Sequence, residues 1–194
     1  MTLKESNKSF YDCINERFSC RKFKEGRIKT EEVEQLLEAA NLAPTAKNIQ
    51  PQRIYVVENE ALLQKLTEAT KYTYGAKTVF VVCYDKSISY KRAIDQKEHG
   101  DIDCAIVATH MMLAATAINL GSVMVCAFNE EIVRAVLSIP ANYVVSCLLP
   151  VGYPEEIREH NTRIDIEDFV IYRWFNWKLT LLGLDLQDAK VQPI

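Results

Sequence analysis

Residues 101–121 read DIDCAIVATHMMLAATAINLG, and no other stretch restricts the fold as much. From Ile102 to Leu120 there is no Gly and no Pro. Ala, Met and Leu dominate, and these residues favour helix. The segment is apolar nearly all round, so the helix it forms is expected to be buried on most sides. Asp101 and Asp103 fall in its first turn, where negative charge suits the helix dipole. Gly121 is expected to end it. A membrane span is the competing reading of such a run. His110, two threonines and Asn119 interrupt it, and no second run of this kind follows. The segment is therefore read as the core helix of a soluble domain.

The flanking patterns supply the layers that would bury it. Residues 7–18 place Phe10, Tyr11, Ile14 and Phe18 at helical spacing. A second helix is expected from Thr30, with Val33, Leu36, Leu37 and Ala40 on one face and Pro44 as its stop. Asn59 should cap a third helix carrying Leu62, Leu63 and Leu66, and Asn129 a later one carrying Val133, Val136 and Leu137. Short strands are expected at residues 54–57, 122–127 and 169–172. TVFVVCY (residues 78–84) and YVVSCLL (143–149) are continuous apolar runs, so they read as strands covered on both faces. Helices and strands in this order predict an α+β fold, a mixed central sheet flanked by helices around a buried central helix. No GxGxxG or Walker loop follows a strand, which argues against a Rossmann site or a P-loop.

Composition narrows the setting. The 194 residues suit one domain, residues 1–172, followed by an arm, residues 173–194, in which Trp174 and Trp177 are expected to pack on a partner. A net charge of −3 gives no sign of a nucleic-acid partner. The six cysteines are scattered without a CxxC pair, and no apolar leader precedes them. They read as thiols of a reducing cytoplasm rather than disulfides or zinc ligands.

Two stretches carry candidate chemistry. Arg17, Ser19 and Arg21 alternate beyond the first helix, and in an extended chain they share one side. Two guanidinium groups and a hydroxyl suit a phosphate; two solvated arginines at a helix end would look the same. Residues 43–51, APTAKNIQP, form a polar loop between prolines. Thr45, Asn48 and Gln50 could hydrogen-bond a polar heterocycle, or the loop could be a plain turn. Residues 85–100 are charged and weakly patterned, a candidate lid, and Tyr90, Lys91 and Arg92 are its candidates for an anionic substrate.

Taken together, these motifs resemble the nitroreductase family of FMN-dependent oxidoreductases. RFSCRKF is similar to that family's R-x-S-x-R-x-F opening, and APTAKNIQPQ to its A-P-S/T-x-x-N-x-Q-P-W segment. The central helix running into NLGSVMVCAF, the strand ending in VGYPEE, and Asn161-Thr-Arg163 follow in the family's order. The resemblance implies a homodimer with FMN at the subunit interface and a C-terminal arm exchanged between subunits. It implies that Arg17, Ser19 and Arg21 hold the phosphate, with Phe18 and Cys20 lending backbone and Arg163 completing the site. Pro44, Thr45 and Asn48 would reach the flavin from the other subunit. Met124, Val125 and Cys126 would line the ring, with a backbone N–H meeting flavin N5.

The implied activity is hydride transfer from NAD(P)H through the flavin to a nitroaromatic, quinone or similar acceptor, with ping-pong kinetics and no essential side-chain acid or base. Reductive dehalogenation, other flavin chemistry of the family, and a flavin-binding sensor with little turnover are the alternatives. Two positions depart from the family pattern, Gln52 in place of Trp and Cys126-Ala127 in place of a Gly-rich pair. Both are expected to line the pocket and to affect substrate preference. Cys126 is expected to be a small buried residue rather than a redox thiol, because no basic residue neighbours it in sequence. His110 reads as a core histidine, and no metal site is expected.

Overall fold

The computed structural model describes residues 8–158 and 162–171. Residues 1–160 and 161–194 form two separate units. In the first, four strands build one sheet in the order β1-β2-β4-β3. They are β1 (Gln52–Val57), β2 (Thr78–Asp85), β3 (Gly121–Ser122) and β4 (Tyr143–Gly152). Every ladder among the described residues is antiparallel. The parallel part of the expected mixed sheet is reduced to a single bridge, Ser19 with Ser122.

All eight residues of β2 are buried. Side chains alternate across a strand, so β2 serves two cores. Phe80, Val82 and Tyr84 join one core with Leu36, Val107 and Met111. Those partners come from α2 (Thr30–Asn41) and α4 (Gly100–Ala117). Val79, Val81 and Cys83 join the other with Leu66 and Val133, from α3 (Glu60–Ala69) and α5 (Glu130–Leu137). The long apolar strands are thus covered on both faces as expected, within antiparallel rather than parallel pairing. Each fully buried large side chain contributes about 1.5–3 kcal/mol.

Local signals placed most helix starts. Asn59 and Asn129 cap α3 and α5 through their side-chain oxygens, which accept the amides of Leu62 and Ile132. In α1 (Phe10–Glu16), Ser9 and Asp12 form a reciprocal capping box. This helix is shorter than the expected 7–18, because Arg17 leaves with ψ 122° and starts the extended segment.

The central helix also ends early. Asn119 takes the left-handed turn, φ 63°, and the Leu120 amide donates to Ala115 O. Asn tolerates that conformation, so Gly121 is not the helix stop. It begins β3, where a Cβ would lie 2.6 Å from Cys20 Sγ. Within α4, Thr109 and Thr116 return their hydroxyls to the carbonyls of Ala105 and Met112, which satisfies polar groups on an apolar helix. No helix among the described residues is long and apolar enough to cross a membrane.

Of the 122–127 segment only Ser122 lies in a strand, the two-residue β3, and the chain touches β4 again at Val125–Leu148. In the second unit Phe169 closes a short helix, α6 (Ile166–Phe169), where a strand was expected. Asp165, extended at φ −65° and ψ 150°, starts that turn, and the Val170 amide donates to Ile166 O to close it. The expected arm, with Trp174 and Trp177, lies outside the described residues, as does Tyr172.

Gly100 gives a direct test of the packing between α4 and β2. A Cβ there would overlap the Tyr84 ring. Gly100→Ala is expected to lower stability by about 1–3 kcal/mol, the usual cost of overpacking. The midpoint of urea unfolding should fall at unchanged slope; an unchanged midpoint would contradict this packing.

Candidate functional site

Two clusters of the expected site residues form, and they stand apart. The first is built where the chain leaves α1. The Cys20 amide donates to Ser122 O at 3.0 Å, and Cys20 is buried against Gly121. Alternation then turns Ser19 and Arg21 away from Cys20; Arg21 is exposed and Arg17, Phe18 and Ser19 are half-buried. Beside this segment lies a cavity of about 200 Å³. Arg21, Tyr72 and Tyr74 line it together with the run 123–127.

The backbone of that run is half used. The amides of Val123 and Val125 donate to Pro150 O and Leu148 O on β4. By strand alternation, the amides of Met124 and Cys126 face the other edge. Val123 and Val125 are buried in the core shared with α3 and α5, whereas Met124 packs on the other core. The result is an apolar wall with outward amides and an arginine at its rim. Such a wall suits a flat ring system that bears a phosphate.

The two tyrosines were missed from sequence. Their signal was present, since Tyr72 and Tyr74 flank Thr73 and precede Gly75, which turns at φ 72°. The paired rings lie 6.0 Å apart.

The second cluster gathers at the start of α4. In the loop after Pro44, the Asn48 amide donates to Thr45 O and the Gln50 amide to Thr45 Oγ1. Lys47, Asn48 and Gln50 all take positive φ, 53° to 55°. The Ala46 amide donates to Asp103 Oδ1 at 2.9 Å. Lys47 Nζ sits 5.0 Å above the Tyr90 ring, a cation–π distance. The Tyr90 ring meets His99 edge-on at 5.3 Å.

Of the three lid candidates, Tyr90 alone faces this cluster. Lys91 pairs with Glu98 through its backbone in an isolated antiparallel bridge, and the Arg92 side chain is held by Asp95 in the lid's own turn. Asp85 anchors the start of the lid, residues 85–89. Its carboxylate takes hydrogen bonds from Ser87 and Asn142, and the Ser87 bond above all holds it below the usual carboxylate range.

Within one chain the two clusters lie toward opposite ends of α4. The first touches the region beyond the C-terminus of α4, where Lys8 Nζ also donates to Thr116 O. The second binds Asp103 near its N-terminus. At 1.5 Å per residue these ends are about 20 Å apart. The two sequence departures separate likewise. Gln52 lines a cavity of about 340 Å³ with Leu37, Gln50 and Arg53, while Cys126 lines the first. Arg163 belongs to the second unit and is exposed there.

Cys126 differs from the expectation of a buried residue. It is exposed and shares its cavity with Arg21, a neighbour that sequence proximity did not reveal. The other five cysteines are buried. Burial pushes the thiols of Cys83 and Cys147 up to about 12, and that of Cys104 higher still. At pH 8 iodoacetamide is therefore expected to label one thiol per native chain, Cys126, and six after unfolding. Peptide mass spectrometry reads the position, and native labelling of Cys83 or Cys147 would contradict the arrangement.

Comparison with known proteins places the chain in a family. The model of the Nitroreductase family matches residues 14–74 and 71–153. A protein of Archaeoglobus fulgidus named as an NADH dehydrogenase/NAD(P)H nitroreductase is 34% identical over 155 residues, covering 75% of this chain and 86% of its own. An iodotyrosine deiodinase of Thermotoga neapolitana is 24% identical, covering 82% of this chain and 96% of its own. The crystal structure of a nitroreductase family protein from Clostridium difficile 630 superposes with a TM-score of 0.80 at 36% identity, covering 84% of this chain and 96% of that one. Both clusters fall within the matched residues, and the chain belongs to the nitroreductase family of oxidoreductases.

Proposed function

We propose that the protein is an FMN-dependent oxidoreductase, active as a homodimer, that takes hydride from NAD(P)H and passes it to a nitroaromatic, quinone or similar acceptor. One observation carries this reading above the others. The arginine segment is hydrogen-bonded onto the apolar run through Cys20 and Ser122, so a phosphate-binding group and a ring-binding wall adjoin. The residues suit FMN: Arg17, Ser19 and Arg21 for the phosphate with backbone from Phe18, while Cys20 fixes the segment through its amide on Ser122 O. Met124, Val125 and Cys126 supply the wall, and the amides of Met124 and Cys126 face the ring. When bound, FMN supplies the two-electron transfer; the protein binds, orients and excludes water.

Pro44, Thr45 and Asn48 enter from the second subunit in this reading. Their separation from the arginine segment within one chain supports that assignment, because each chain offers two incomplete halves. Residues 173–194 complete the dimer as an exchanged arm. The nicotinamide and the oxidant use one opening in turn, which gives ping-pong kinetics.

The relatives support the nicotinamide donor, since the A. fulgidus protein is named for NADH and NAD(P)H. A second acceptor class, halogenated phenols, is favoured by the likeness to an iodotyrosine deiodinase and by the stacking of Lys47 on Tyr90. Arg92 would then serve only after leaving Asp95.

Arg17→Ala and Asn48→Ala are each expected to weaken FMN binding about tenfold or more, the scale of a lost charge-assisted hydrogen bond. Heterodimers of the two variants should regain one full-affinity site per dimer, as measured by flavin fluorescence. Recovery of no site would rule out the shared arrangement. In steady state, NADH or NADPH oxidation should be supported by nitroaromatics and quinones; turnover of halophenols alone would transfer the assignment to dehalogenation.

A further inference from the structure

We propose that Asp103 is a positioning residue that sets the shape of the loop at residues 45–50 and, through it, the affinity for flavin. The second half of this inference rests on the FMN reading above. A carboxylate in the first turn of a helix can serve the helix dipole from an exposed position, and Asp101 is exposed. Asp103 is instead 2% exposed. One of its oxygens, Oδ1, accepts the Ala46 amide across 57 residues of sequence. The other, Oδ2, is buried with no partner among the described residues.

Stability alone gives no reason for such a residue. A buried carboxylate with an unpaired oxygen is costly, and an apolar side chain would fill the space without that cost. The loop explains its presence. Lys47 and Gln50 hold φ of 53° and 55° although neither is glycine or asparagine, a conformation that persists only where surrounding contacts impose it. Thr45 closes the turn on itself by accepting the amides of Asn48 and Gln50. Those bonds are internal to the loop. The bond from Ala46 to Asp103 ties the turn to α4, so it sets where Thr45 and Asn48 point.

Three variants of the 194-residue chain test this. Asp103→Ala removes the acceptor, and Asp103→Asn keeps it. Ala46→Pro removes the donor without touching α4, and so decides the matter if Asp103→Ala does not fold. The site accepts proline, because Thr45 is already extended (φ −130°, ψ 158°) and Ala46 opens the short 3-10 turn. Two quantities are measured: hydrogen exchange at the Asn48 and Gln50 amides of flavin-free protein, and the Kd for FMN by fluorescence.

Asp103→Ala and Ala46→Pro are expected to speed exchange at both amides tenfold or more and to weaken FMN binding tenfold or more. Asp103→Asn should remain within threefold of the parent on both. Unchanged exchange in Asp103→Ala and Ala46→Pro would overturn the proposal, as would an Asp103→Asn variant as impaired as Asp103→Ala. Faster exchange with unchanged FMN affinity would overturn the link from loop to cofactor. A parent protein that binds no FMN would overturn the functional reading, and the exchange data would still decide whether Asp103 holds the loop.

Discussion

Strand β2 has to be covered on both faces, and the architecture follows from that requirement. Its eight buried residues alternate between two cores. A sheet with one solvated face would leave half of them in water, at about 25 cal/mol for each Å² of apolar surface. Helices α2 and α4 therefore close one face, and α3 and α5 close the other. The helix that dominates the sequence, α4, is one of these covers. Its buried side lies on β2 and β4, and its two ends become the places where loops converge.

Those ends organise the chemistry. Beyond the C-terminus of α4, Asn119 turns the chain, and Gly121 lets Cys20 approach closely enough for its amide to reach Ser122 O. A single hydrogen bond and a missing Cβ thus place an arginine-bearing segment beside an apolar strand. At the N-terminus, Asp103 and His99 receive the loop after Pro44 and the lid turn that carries Tyr90. One rigid helix separates the two groups.

Burial also sorts the thiols. Cys83, Cys104 and Cys147 sit within the cores and are held neutral by desolvation, whereas Cys126 stands exposed at the cavity. Nothing in their sequence contexts distinguishes them, because all four lie in apolar runs. The difference comes from where the strand stops pairing. Val125 makes the last contact with β4, and the next residue meets solvent.

The sequence by itself determined the elements and their chemistry: a helix apolar all round, strands buried on both faces, asparagine caps at α3 and α5, and the order of motifs that marks the family. These are local or periodic properties, carried by neighbouring residues. It also implied, through that resemblance, which residues bind. The tertiary structure decided what depends on contacts between distant segments. It made the ladders antiparallel, because pairing is chosen by connection and not by strand composition. It ended α4 at Ala117, with Asn119 rather than Gly121 taking the left-handed turn. It put Arg21 beside Cys126, Lys47 over Tyr90 and Asp103 beneath Ala46, pairings across tens of residues that no local pattern encodes. It also split the expected site into two halves about 20 Å apart along α4, a distance that only the folded helix sets.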